Sequence, residues 1–215
     1  MQWISNNSAA LSVLINAGML AVWLFYAQLL LNSYRRSRRP KIIVDQGVGR
    51  GLKSYCLIAN MSSEAVFVQV VVAALYNSED RISRDITNLK VRARGENAEG
   101  QAGVSGIQAQ TVQGPLQAGN YLDIGTFGEV IDAVLKEHGT SGEESREEQA
   151  DRYSLELTVI ATFGPENQPI GARRCFEFSR SDKGEQRVRP TKVDTERMSG
   201  IRDRKQMHRW LQQYL

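Results

Sequence analysis

Residues 46–53 read QGVGRGLK, with Gly47, Gly49 and Gly51 at alternate positions, Arg50 among them and Lys53 behind. Glycines so spaced beside basic side chains are the ingredients of a phosphate cradle, in which backbone N–H groups and a lysine converge on an anion. Such cradles run from a strand straight into a helix, and the Walker form sets Lys-Ser/Thr directly after its last glycine. Here Lys53-Ser54 follows Gly51-Leu52, but YCLIAN then has strand character. The alternation of strand and helix that such enzymes need is missing as well. The segment is therefore expected to turn the chain between its first two strands, with glycines supplying positive φ or bulges. A nucleotide- or phosphate-binding enzyme or sensor built on residues 47–53 remains the alternative, in its weakest form an anion nest using Arg50 and Lys53.

A second pattern is basic. Lys90, Arg92 and Arg94 alternate along the run 86–94 and so share a strand face opposite Leu89, Val91 and Ala93, while Arg173 and Arg174 stand together on a later strand. As neighbours they would make a patch for phosphates, an acidic peptide or nucleic acid. Other chemistry is sparse. His138 ends a helical pattern and His208 lies in the basic tail, so no zinc-like His/Cys spacing can be drawn, and no GxSxG surrounds a serine. Glu143-Glu144 and Glu147-Glu148 belong to a polar, aperiodic stretch that reads as solvated loop. No catalytic residue, cofactor or metal is expected, and the chain is read as non-enzymatic.

Charge divides by region. Residues 1–40 carry four arginines and no acid; residues 180–215 carry ten bases against five acids; residues 41–179 carry 13 bases and 19 acids, a net −6. That acidic middle, with few aromatics among its bases, argues against an extended nucleic-acid surface. A membrane-tethered nucleic-acid binder is the third reading.

The strongest feature positions everything after it. From Ala9 to Leu31 the sequence has no charge, and 23 helical residues span about 34 Å, enough for a ~30 Å hydrocarbon core. Trp3 and Tyr34 fall where the two interfaces would be. A cleaved signal peptide needs a positive n-region and a small-residue cleavage site; MQWISNNS has no basic side chain and the apolar run ends in LLLNSYRR. Arg35, Arg36, Arg38, Arg39 and Lys41 follow the helix, so the positive-inside rule predicts a single-pass anchor in the inner (plasma) membrane, N-terminus out and domain cytoplasmic. In that reducing compartment Cys56 and Cys175 are expected as buried thiols; a cross-sheet disulfide would require the opposite topology.

After Pro40 the apolar period becomes twofold. YSLELTVIATF (153–163) alternates cleanly, VFVQVVVAALY (66–76) is apolar on both faces, as of a central strand or one whose outer face the internal helix covers, and shorter runs stand at 41–44, 54–60, 86–94, 107–112 and 170–179. About seven strands so spaced predict a mainly β fold, an antiparallel β-sandwich over residues 41–179 that resembles the immunoglobulin or fibronectin superfold in general architecture. One helix should begin at Thr126, whose hydroxyl pairs with Glu129 as a capping box, and bury Phe127, Val130, Ile131, Val134 and Leu135. Residues 180–215 read as a basic linker followed by an amphipathic helix. In that helix, over residues 194–215, Met198 and Ile201 lead towards Met207, Trp210, Leu211 and Tyr214 on one face, while Arg202, Lys205 and Arg209 share another. It suits the lipid bilayer, a protein partner such as a subunit of a membrane complex, or docking on its own domain. The leading expectation is a membrane-anchored scaffold or protein-interaction module.

Overall fold

The computed structural model describes residues 8–37, 40–78, 80–89, 111–137, 150, 152–166, 168–181 and 185–214. The chain divides into two compact units, Met1–Arg39 and Pro40–Leu215.

The first unit holds helix α1 (Ser8–Ser37). Its stretch Ala9–Tyr34 has a mean hydropathy of 1.8 and no residue buried within the protein, so it is long and apolar enough to cross a membrane.

The second unit is mainly β, with antiparallel pairing throughout its described ladders. Strands β1 (Ile42–Gln46), β2 (Tyr55–Asn60) and β6 (Tyr121–Thr126) form one three-stranded sheet in the order β1-β2-β6. The other sheet is seven-stranded and contains β3 (Val66–Tyr76), β4 (Arg81–Asp85), β7 (Ser154–Phe163), β8 (Ile170–Arg180) and β10 (Glu196–Met198) in the order β10-β8-β7-β3-β4. Strand β5 (Gly114–Leu116) pairs with β3, and β9 (Gln186–Pro190) with β8. One apolar cluster joins the sheets: Val44, Cys56, Ile58 and Ile124 from the small sheet, and Val71, Leu75, Leu157, Val159 and Phe176 from the large one.

Helix α2 (Phe127–Glu137) completes that cluster. Its expected cap is formed in both directions, the Thr126 N–H donating to Glu129 Oε2 (2.8 Å) and the Glu129 N–H to Thr126 Oγ1 (3.2 Å). Phe127 sits edge-on to Phe176, with ring centroids 4.8 Å apart.

Strand β3 shows why its sequence is apolar on both sides. A bulge between Val68 and Val70 resets the alternation, so Val71, Ala73 and Leu75 join the core while Val70, Val72 and Ala74 are buried on the opposite face. That outer face lies beneath the C-terminal helix α3 (Ile201–Tyr214), not the internal helix, which packs on the core side.

Several expectations are corrected. Residues 86–89 form a turn, with residues 90–94 outside the described part, and the strand before them is β4, reading RISRD. Its partly exposed, polar residues gave no apolar signal; it forms because β3 offers it a ladder from Val72 to Tyr76. Of the strand expected at 107–112, residues 107–110 lie outside the described part, and Thr111 and Val112 belong to no strand. Strands β5 and β6 leave no signal in the sequence, since three residues and the mixed run YLDIGT are too short for periodicity. The expected linker, residues 181–194, contains β9, and β10 lies where the C-terminal helix was expected to begin, so Met198 belongs to a strand and the helix starts only at Ile201. Strands β9 and β10 pair with separate stretches of β8, and Val188 and Met198 are buried. Both cysteines are free, Cys56 inside the core and Cys175 partly exposed on β8, outside that core.

Candidate functional site

The C-terminal helix is the surface where most predicted contact residues converge. Gly200 precedes it, its N–H donating to Asp203 Oδ2 (3.0 Å). The helix settles on the outer face of the large sheet through Met207, which is fully buried with Ile160 of β7 and Met198 of β10; Trp210 and Leu211 pack around them. Gly171 of β8 makes the approach feasible, because a Cβ there would stand 2.5 Å from Met207 Sδ. Tyr214 reaches Ser83 of β4, with which it shares a hydrogen bond; burial first, then the charge of Asp85, raises its hydroxyl pKa. The apolar contacts proposed for lipid or a partner, Met207, Trp210, Leu211 and Tyr214, are thus engaged with the sheet. Arg202, Lys205 and Arg209 are exposed, as are Arg204 and His208. The helix presents a basic face on a fixed platform.

The second predicted group does not assemble in the described residues. Lys90, Arg92 and Arg94 lie outside them. Arg173 and Arg174 are consecutive on β8 and so point to opposite faces of the sheet. Arg173 meets Glu196 of β10 at 3.4 Å. Arg174 is buried and turned toward the small sheet: Nη1 donates to the Val44 carbonyl (2.7 Å) and Nη2 to the Val193 carbonyl (2.9 Å). Its guanidinium also lies 3.0 Å from Asp45 and over the Phe176 ring, 5.7 Å from the centroid. Thr195 Oγ1 donates to the same Val44 carbonyl and accepts from the Val44 N–H, so Arg174 of β8 and Thr195, just before β10, both hold β1.

The glycine segment is a connection between β1 and β2. Gly51–Lys53 forms a single 3-10 turn and Tyr55 begins the next strand, so no helix N-terminus faces the loop. Gly49 and Gly51 have φ of 130° and 54°, as expected of a turn that side chains would obstruct. Arg50 lies 3.8 Å from Glu185, both well exposed.

Sequence reading missed a polar cluster on the outer face of the large sheet. Arg81 of β4 donates to Glu156 Oε1 of β7 at 2.7 Å, with Glu156 nearly buried. Cys175 of β8 lies opposite Glu156, its thiol donating to Oε2 at 3.9 Å. Tyr76 of β3 bonds both Cys175 and Ser154, and burial, followed by the neighbouring thiol, pushes its hydroxyl up to about 12. Burial also raises the Cys175 thiol, as does the Glu156 carboxylate, against the opposing pull of Tyr76 and Arg173. These contacts join β4, β3, β7 and β8 across the outer face of the sheet. Only alternate positions on four strands create the cluster, and no linear motif reports such a register. Cys56 is pushed up more strongly, by burial and then Asp123 and Asp45. Among the described residues, no three His, Cys, Asp or Glu side chains are grouped to hold a metal ion.

The class defined is therefore a mainly β, antiparallel domain following one apolar helix. No family model, curated protein or solved structure matches the chain.

Proposed function

We propose that the protein is a single-pass, membrane-anchored, non-enzymatic interaction module whose immunoglobulin-like β domain lies in the cytoplasm and holds a protein partner with an acidic surface. The observation carrying this reading is the division of α3: its apolar face is seated on the sheet through Met207, while Arg202, Lys205 and Arg209 face solvent. Inserting the apolar face into a leaflet would require lifting the helix off Ile160 and Met198, whereas an acidic protein surface can meet the basic face with the helix in place. The glycine connection and the buried Arg174 are occupied structurally, which favours binding over phosphate chemistry.

Reversing the three charges together (Arg202→Glu, Lys205→Glu, Arg209→Glu) in the full chain should abolish co-purification of the partner from detergent-solubilised membranes. Melting should move little, because exposed substitutions usually cost within ~0.5 kcal/mol each. An unchanged set of co-purifying proteins would sink the assignment.

Topology has its own measurement. Lys41 and the arginines before it support the N-out orientation, so protease added to intact cells should leave residues 40–215 whole. Digestion without breaching the inner membrane would place the domain outside.

A further inference from the structure

Outside α1, six large apolar side chains are exposed among the described residues: Val48, Met61, Phe67, Tyr121, Val193 and Ile201. Four of them fall at one end of the β domain. Met61 follows β2, and its N–H donates to the Lys41 carbonyl (2.8 Å) just before β1 begins. Tyr121 opens β6 opposite Ala59, beside Asn120, whose carbonyl accepts from the Asn60 N–H. Phe67 lies in the first rungs of β3, opposite Pro115 and Thr162. Asn60 Nδ2 spans these pieces, donating to the carbonyls of Leu116 (2.8 Å) and Glu64 (2.9 Å). Ile201 comes three residues after Met198, which pairs with Gly171 at the start of β8. Val48 lies in the connection at the other end of β1, and Val193 stands beside Arg174.

The end bearing these four side chains is also where the chain enters the domain, at Pro40 and Lys41. We propose that this end is a lipid-facing surface, with Met61, Phe67, Tyr121 and Ile201 resting in the headgroup region of a phospholipid bilayer. The proposal rests on α1 being the membrane anchor. Chain length supplies the argument for lipid as the occupant. The apolar stretch ends at Tyr34, helix continues to Ser37, and three residue steps then lead to Pro40. With ~1.5 Å per helical residue and at most ~3.6 Å per extended one, Pro40 stays within about 15 Å of the hydrocarbon edge. A domain of this size is roughly 30–40 Å across, so its entry end is the part that the tether keeps beside the lipid. The side chains fit that position: Tyr places an apolar ring and a polar tip at an interface, Phe and Met bury easily at its apolar edge, and Lys41 favours anionic headgroups. Because the tether already supplies a high effective concentration, shallow contact by four side chains is sufficient.

A photo-crosslinking phenylalanine analogue placed singly at Met61, Phe67 or Tyr121, in the full chain reconstituted into vesicles of mixed zwitterionic and anionic phospholipid, tests this surface. Val48 and Val193 serve as control positions. Lipid adducts should form several-fold more at the three test positions than at the controls, with melting unchanged because all five sites are exposed. Equal yields at all five positions, or adducts at 61, 67 and 121 to protein instead of lipid, would overturn the proposal. Flotation separates the two readings. A chain that fails to float with the vesicles overturns both the anchor and this surface, whereas one that floats yet gives no lipid adducts at the test positions overturns this surface alone.

Discussion

Gly49→Val is expected to destabilise the β domain by about 3 kcal/mol or more, seen as a fall of roughly 6–12 °C in its melting temperature. Two effects add at this position. Its φ of 130° is one that a β-branched residue rarely adopts, and a Cβ there would lie 2.4 Å from Ser54 Cα and 2.6 Å from the Lys53 carbonyl oxygen. Both collisions are with backbone, which cannot rotate away as a side chain can. Gly51 separates the two causes. Its φ of 54° suits asparagine, but a Cβ would stand 2.5 Å from the Gln186 carbonyl of β9. Gly51→Asn should therefore remain clearly destabilising, whereas Gly119→Asn, at φ 76° with nothing within 4 Å, should be nearly neutral. Lys53→Ala should shift stability by no more than ~0.5 kcal/mol, since that side chain is exposed. Neutral behaviour of Gly49→Val, or specific nucleotide binding that Lys53→Ala removes, would overturn the reading of this loop as a packed strand connection.

Arg174→Met should cost about 3 kcal/mol, while Arg173→Met, one residue earlier, should stay within ~0.5 kcal/mol. The Arg174 guanidinium serves two carbonyls in a buried setting. Val44 would keep the Thr195 hydroxyl as a second donor, so the Val193 carbonyl suffers the larger loss. Contact with the Phe176 ring would be lost too, at roughly 0.5–2 kcal/mol for a cation over an aromatic face. Asp45 adds little, because its carboxylate is 57% exposed and water can replace the arginine. Arg174→Lys should fall between wild type and Arg174→Met, since a single ammonium cannot reproduce the two-pronged fork. Denaturant midpoints of the three variants provide the measurement. Equal losses for Arg173→Met and Arg174→Met would mean that the two faces of β8 are not distinguished as described.

Local sequence sufficed for elements whose stability is written in periodicity or caps. Strand β3 spans the apolar run 66–76, β7 lies within one residue of YSLELTVIATF although it is buried on both faces where alternation implies a half-buried strand, and Thr126 and Glu129 mark the start of α2. The apolar length of α1 likewise follows from composition, because a helix satisfies its own backbone and needs no partner to be recognised. The amphipathic pattern within residues 194–215 specified a helix and its two faces, but placed its start too early, ahead of Ile201, and left open what the apolar face would meet.

Tertiary structure decided that question, since Gly171, Ile160 and Met198 come from three separate stretches and only the sheet register gathers them under Met207. It likewise made strands of RISRD and QRVRP, whose weak periodicity is outweighed by the open ladders of β3 and β8. Adjacent arginines read as one patch were divided by the twofold pleat, one to a surface ion pair and the other to buried carbonyls. The cluster of Tyr76, Arg81, Glu156 and Cys175 has the same origin. Side-chain type is a property of the chain, but the company a side chain keeps across a sheet is set by pairing between residues distant in sequence.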